Sequence, residues 1–365
     1  MYTFSHMRIA NRFRSLPRAY RSILLPALIA CCLALLPIVS ASAQAKTTNQ
    51  LLIYAIDVEG GQATLLVDTA THASLLVDTG WPGENGRDAG RIQQAMRDAG
   101  ITRIDHVLIT HFHTDHVGGV PELVKRVPVG EFIDHGLNRE DSDITRHDYA
   151  AYLKAIEGKP RRIVHPGDTI NIPGLEAIVL TADGEHIAAV PGVKPMPNPY
   201  CAAEPKWDLD TTENPRSTGV LIRFGKFRFL DLGDLTKKKE LELACPDNIL
   251  GTVDLFLVTH HGADLSNPKP LVWALHPRVA IFDNGPRKGA SPAAWQIVHD
   301  SPGIEDVWQV HYAAESDHAH NVSDGRIANV KENCEGKSLK VTAEMTGSFT
   351  VTNTRTGVEK TYAKK

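Results

Sequence analysis

Within six residues the chain carries three imidazoles and a carboxylate, His111-Phe112-His113-Thr114-Asp115-His116, and Val117-Gly118-Gly119 follows at once. Neutral imidazole nitrogen and carboxylate oxygen are ligands for Zn²⁺ and neighbouring first-row ions. Four such groups exceed what one tetrahedral ion with an open position takes from a protein, which predicts two divalent ions. Zn²⁺ is expected first, with Mn²⁺ or Fe²⁺ as alternatives. The apolar run Val107-Leu108-Ile109-Thr110 reads as a buried strand, so the cluster sits where a strand ends and a loop begins. A period of two sends His111 and His113 to one face, and the loop lets Asp115 and His116 turn back toward them. A bound metal lowers the pKa of water from ~15.7 toward ~7 and stabilises the oxyanion of the transition state. No Ser-His-Asp or Cys-His arrangement competes, so a metal-activated water is the expected nucleophile.

This loop resembles the signature of the metallo-β-lactamase-fold superfamily of hydrolases. The resemblance implies an α/β fold, an αββα four-layer sandwich, and a ligand set assigned residue by residue. His111 and His113 would hold the first metal, and Asp115 and His116 the second. Leu75-Leu76-Val77-Asp78-Thr79-Gly80 resembles the family's first motif, in which the aspartate, here Asp78, orients the metal loop from behind. Phe229-Leu230-Asp231-Leu232-Gly233-Asp234 ends in the Gly-Asp whose carboxylate bridges the two ions, here Asp234. Thr259-His260-His261-Gly262 resembles the last ligand motif, with His260 as the ligand and His261 free to touch substrate or donate a proton. Asp115 and His261 are accordingly the expected catalytic residues. A third histidine of the first metal is expected between the metal loop and Asp234. His186, after the turn Thr181-Ala182-Asp183-Gly184, stands in that place, with Asp183 as the alternative; His135, His147 and His165 read as loop histidines.

The loop Asp283-Asn284-Gly285-Pro286-Arg287-Lys288-Gly289 follows another strand end on the metal side, so Asn284, Arg287 and Lys288 are candidates for an anionic part of the substrate. His311-Tyr312 and Asp317-His318-Ala319-His320 form a second histidine-rich patch, read as a pocket rim or solvated loop. The phrase around Asp57, Val58, Ala63 and Thr64, with Gly-Asp and Thr-His-His-Gly, is most similar to one branch of the superfamily. That branch contains the hydrolase domain of DNA-uptake competence proteins, with phosphorylcholine esterases near it. It implies hydrolysis of a phosphodiester or related ester; a lactone, β-lactam or thioester is the alternative, and a catalytically silent metal-binding module the alternative of another class.

Several elements must hold these groups. Leu51 to Val58, Ala63 to Thr69 and Ala73 to Asp78 read as strands, and Arg87 to Ala99 as a helix stopped by Gly100. Strand 104–110 carries the metal loop, and further strands fall at 177–180, 218–224, 227–230, 253–259 and 279–282. Residues 184–217 are rich in proline and read as an insertion or lid. The hydrolase domain is expected over 44–335 and a small antiparallel β appendage over 336–365.

Residues 1–43 read as a signal peptide: five arginines, the apolar stretch Ile23 to Val39, then Ala41-Ser42-Ala43. Cleavage there would leave no stable membrane span and place the protein in a periplasm or outside the cell. The formal charge would move from −4 to −9. So acidic a chain disfavours nucleic acid as a partner without excluding it, and leaves a small molecule or phosphodiester as the expected substrate. Three cysteines would remain, Cys201, Cys245 and Cys334, enough for one disulfide whose pairing the sequence does not reveal.

Overall fold

The computed structural model describes residues 49–364 apart from 202–206, 208 and 209, and the expected signal segment lies outside the described residues. Strands β1 (Gln50–Ala55), β2 (Thr64–Asp68) and β3 (Ser74–Val77) form an antiparallel meander. β4 (Ile104–Leu108), β5 (Val129–Asp134) and β6 (Arg161–Ile163) then continue the sheet in parallel. A second sheet starts with β7 (Thr169–Ile172) and β8 (Leu175–Val179). Two small ribbons follow, β9 (Thr181–Ala182) with β10 (Glu185–His186), and β11 (Met196–Pro197) with β14 (Asp247–Asn248). The second sheet resumes with β12 (Val220–Phe224) and β13 (Phe227–Asp231) as a hairpin. From β13 onward β15 (Leu255–Leu257), β16 (Val279–Phe282), β17 (Asp306–His311) and β18 (Ile327–Asn329) run parallel.

Alternation along the strands decides the layers. In β2 and β3, Leu66, Leu75 and Val77 point into a core shared with Val220, Ile222 and Phe224 of β12, between the two sheets. Their neighbours Leu65, Val67 and Leu76 point the other way, onto Ile92, Ala95 and Met96 of α1 (Arg87–Ala99). Leu221 and Phe256 likewise turn outward to Leu271, Val272 and Leu275 of α2 (Lys269–Leu275). Three apolar layers thus lie between four layers of backbone, which is the expected αββα sandwich. With both faces covered, these strands read as continuous apolar runs. Ile92, Ala95 and Met96 recur at helical spacing, and Gly100 ends α1 in the left-handed conformation at φ 75°.

The C-terminal tail departs from the expected appendage. β19 (Leu339–Glu344), β20 (Phe349–Asn353) and β21 (Glu359–Tyr362) are antiparallel, but β19 pairs along the whole of β1 and extends the first sheet to nine strands. Leu339, Val341, Ala343, Phe349 and Val351 are buried in the central core, so the tail is part of the sandwich. Its alternation was visible in sequence, but its pairing partner lies nearly three hundred residues away. Among the described residues no helix is long and apolar enough to cross a membrane.

The sandwich brings strand ends together. Asp78 follows β3, the histidine loop follows β4, Asp234 follows β13, the His260-His261 pair follows β15, and Asp283 follows β16. All five are carboxyl ends of parallel strands, where open α/β sheets gather their sites.

Candidate metal centre

Asp78 leaves β3 with φ 58°, a conformation that costs a non-glycine residue of order 1–3 kcal/mol and marks functional turns. Its Oδ1 accepts from Thr110 N at 2.8 Å and its Oδ2 from Thr110 Oγ1 at 2.6 Å. Asp78 Oδ2 also lies 2.7 Å from His116 Nδ1, which aims His116 Nε2 away from it. There Nε2 meets Asp115 Oδ2 and Asp234 Oδ2, each at 3.2 Å. Gly233 has φ 55° beside Thr110, where a Cβ would come within 2.9 Å of the threonine Cβ; glycine lets the strand carrying Asp234 close onto the metal loop.

Hydrogen bonds behind the ligands fix the remaining tautomers. The Thr110 hydroxyl donates to Asp78, so at 3.1 Å it accepts from His111 Nδ1 and leaves His111 Nε2 bare. Glu140 Oε2 lies 2.8 Å from His113 Nε2 and can only accept, which leaves His113 Nδ1 bare. The two bare nitrogens face each other at 3.0 Å. Lone pairs so placed want a cation between them.

The second half of the centre is tighter. One ligand atom from each of Asp115, His116, Asp234 and His261 lies within 4.8 Å of all the others, and all four residues are buried. Among the described residues, His116 Nε2, Asp234 Oδ1 and both ring nitrogens of His261 have no hydrogen-bond partner. Buried polar atoms left so are costly, and their convergence fits a divalent ion. Burial raises the Asp115 and Asp234 carboxyls, but the His116 imidazole outweighs it and holds both well below the usual carboxylate range. At His111 burial dominates, joined by its histidine neighbours, and pushes the imidazole well below its ordinary value.

The histidine pair corrects one expectation. His260 and His261 have consecutive left-handed φ values, 57° and 55°, which turns both side chains toward Asp234 instead of to opposite sides. His261 enters the four-residue group, with Nε2 at 3.3 Å from Asp115 Oδ2 and 3.4 Å from Asp234 Oδ1, while Asp283 Oδ2 lies 3.3 Å from its Nδ1. His260 faces Asp234 alone, at 3.3 Å, and its Nδ1 lies 3.1 Å from the Ser266 hydroxyl, which itself donates to Leu235 O. His260 was expected as the ligand at the close of a strand over 253–259, but the strand stops at Leu257 and it is His261 that joins the group.

His186 is likewise corrected: it is exposed on β10 and lies 3.4 Å from Glu242. The β9–β10 ribbon carries it out of the sandwich. Asp183 is tied to Arg139, and buried His135 to Glu213. Beside His111 stands Ser217 Oγ, 3.4 Å from Nδ1, which accepts from Asp234 N. In the 283–289 loop, Asn284 is buried and donates to His311 O, and Arg287 is paired at the surface with Glu332; neither faces the centre. Lys288 does, through an ion pair with Asp115. Glu140 and Asp283 were missed as positioning residues: an acid in a loop carries no signal until its histidine is placed.

Residues 56–206 match the family model described as the metallo-beta-lactamase superfamily. An atrochrysone carboxyl ACP thioesterase from Aspergillus terreus is 41% identical over 68 residues, 19% of this chain and 20% of that protein. Recombination protein 2 of Haemophilus influenzae is 25% identical over 232 residues, 63% of this chain and 24% of that protein. The chain spans between a fifth and a third of the first curated relatives it matches. Among solved structures, the metallo-beta-lactamase fold protein YhfI from Bacillus subtilis is 10% identical with a TM-score of 0.41, covering 71% of this chain and 95% of that one. Over residues 56–206 the chain is similar to the metallo-β-lactamase superfamily, and the candidate metal site joins that stretch, through Asp115 and His116, to Asp234 and His261 beyond it.

Proposed function

We propose that this is an exported, binuclear metal-dependent hydrolase acting on a phosphodiester or related ester. The observation that carries it is the buried convergence of Asp115, His116, Asp234 and His261, in which His116 Nε2, both His261 nitrogens and Asp234 Oδ1 lack hydrogen bonds among the described residues, beside the facing nitrogens of His111 and His113. His111 and His113 would hold one ion, Asp115, His116 and His261 the other, and Asp234 both. Such ions supply an activated water and positive charge for a developing oxyanion. The protein's part is to fix the donors: Asp78 and Glu140 orient His116 and His113, and the Asp283 carboxylate stands 3.3 Å from His261 Nδ1. The phosphodiester preference follows the sequence resemblance around Asp57, Asp234 and the histidine pair. Export is supported by the Cys201–Cys245 disulfide, a bond that persists in oxidising compartments.

Thioester hydrolysis is the second reading, favoured by the match to the thioesterase. Purified protein loaded with Zn²⁺ or Mn²⁺ should turn over bis-p-nitrophenyl phosphate faster than a thioester, a lactone or nitrocefin, and hold two ions per chain. Faster thioester cleavage would replace the phosphodiester reading, and a stoichiometry fixed at one ion would end the binuclear one.

A further inference from the structure

We infer that Lys288 is the residue that grips an anionic oxygen of the substrate, and that it does so in exchange for Asp115, so that metal and anion bind cooperatively. The inference rests on the metal-centre reading above and names the chemistry recognised there: a phosphoryl or carboxylate oxygen next to the bond that is cut.

The lysine is delivered by a fixed turn. Gly285 N donates to Lys288 O at 2.9 Å, and Ala290 N donates to His261 O at 2.8 Å, so the turn is fastened to the histidine pair. Asn284 Nδ2 anchors its start to Gly285 O and His311 O. From this base Lys288 reaches over the Trp81 ring, its Nζ 5.2 Å from the ring centre, to Asp115 Oδ2. Gly61 permits the approach on the other side, since a Cβ there would lie 3.1 Å from both Trp81 Nε1 and Asp115 Cβ. The lysine side chain is 37% exposed against 9% for Asp115, which puts the ammonium at the mouth and the carboxylate inside.

Asp115 Oδ2 is contested. It faces His116 Nε2 at 3.2 Å and His261 Nε2 at 3.3 Å as well as the ammonium. A divalent ion held by those same groups takes the oxygen and repels the ammonium a few ångströms off. An anion lying between ion and ammonium removes that repulsion. Arg287 is held by Glu332, so of the two basic residues in the turn Lys288 is the one placed for this. Because coupling between two ligands is reciprocal, whatever anion Lys288 binds must also tighten the metal.

The test compares native protein with Lys288→Met and Lys288→Arg, measuring Zn²⁺ affinity by chelator competition and the binding of inorganic phosphate and acetate by calorimetry. Without added anion, Lys288→Met should bind Zn²⁺ more tightly than native protein, since a competing cation is gone. Zn²⁺-loaded Lys288→Met should bind the recognised anion about 10–100-fold more weakly, the scale of a charge-assisted hydrogen bond, and Lys288→Arg should largely retain it. That anion should tighten Zn²⁺ in native protein and in Lys288→Arg, and not in Lys288→Met. A larger effect with phosphate identifies a phosphoryl oxygen, and a larger one with acetate a carboxylate; either supports the inference. Unchanged anion affinity in Lys288→Met, or looser Zn²⁺, would make the lysine a prop for the metal loop and overturn it while leaving the metal centre standing. If native protein takes up no Zn²⁺, the reading of the centre falls and this inference with it.

Discussion

Two clusters in this chain, one buried and one with a half-buried cysteine, look alike on paper and differ in how their charge is met. One joins Asp115, His116, Asp234 and His261; the other joins Asp57, His311 and Cys334, again with one ligand atom from each within 4.8 Å of the others. In the second, every facing atom has a partner. Asp57 Oδ1 lies 2.8 Å from His311 Nε2, and Oδ2 takes the Cys334 thiol at 3.2 Å and the Arg91 guanidinium at 3.0 Å. Burial raises the Asp57 carboxyl, but His311 and Arg91 outweigh it and lower it below its ordinary value. Among the described residues no guanidinium reaches the first cluster, and nitrogens of His116 and His261 are left without hydrogen bonds. Donor type and spacing alone would make both into metal sites. What separates them is whether the chain has already satisfied every facing atom; in the first cluster Lys288 reaches only Asp115.

The sharpest break concerns the first cluster. Asp234→Ala should shed metal and lower hydrolysis by about 10³-fold or more, since metal charge stabilisation is worth several kcal/mol at 1.36 kcal/mol per decade. Metal analysis beside the rate checks it, and a metal-replete, active variant would reduce Asp234 to a turn residue. The second cluster should respond in stability instead. Arg91→Met leaves the Asp57 charge short of its guanidinium, and breaking a buried pair costs about 3–5 kcal/mol. Denaturant unfolding should show that loss with metal content unchanged.

Glu240 shows a third way to bury an acid. Its Oε2 accepts from Asn267 N at 2.8 Å, and among the described residues no cation pairs with it. Burial pushes its carboxyl up to about 8 from 4.5, so the folded protein keeps the proton that the unfolded chain gives up. Stability from this group is complete below about pH 4.5, falls as pH rises toward 8 and is level beyond, by up to a few kcal/mol. Glu240→Gln should flatten that part of the profile and exceed the native protein above pH 8. An unaltered pH profile would mean that Glu240 has found a cation. Smaller again, Asp78→Ala should weaken metal binding by 10–100-fold, the usual effect of removing the acid behind a metal-bound imidazole. Chelator competition measures it, and unchanged affinity would show that Thr110 alone can orient His116.

These contrasts also mark what could be read from the chain. The positions of the candidate ligands in one uninterrupted loop, His111 to His116, and of the two turn aspartates, Asp78 and Asp234, are legible because local sequence fixes them at strand ends. The layers are legible for a similar reason, since apolar runs such as Leu65-Leu66-Val67 announce strands covered on both faces. The histidine pair was misread because two successive left-handed residues leave no mark in a pattern of types. Lys288 could be singled out but not separated from Arg287, since both look basic until Glu332 and Asp115 are placed. His311 was read as rim and is buried, because Asp57, the group that holds it, is more than two hundred residues away.

The smallest expected effect bears hardest on the comparison. Burial, then the neighbouring Asp57 charge, pushes the Cys334 thiol up to about 11, so at neutral pH it is an S–H donor to Asp57 and not the thiolate a metal needs. A serine offers the same donor in nearly the same place. Cys334→Ser should therefore change stability by less than about 1 kcal/mol, the net value of one hydrogen bond, and leave metal stoichiometry as it was. Cadmium supplies a second readout, because a cadmium–thiolate bond absorbs in the ultraviolet where carboxylate and imidazole complexes do not. Native protein titrated with Cd²⁺ should fill the Asp115–Asp234 centre without that band. If the band appears and Cys334→Ser removes it with one equivalent of metal, Arg91 does not exclude a cation. The two clusters would then be the same kind of site.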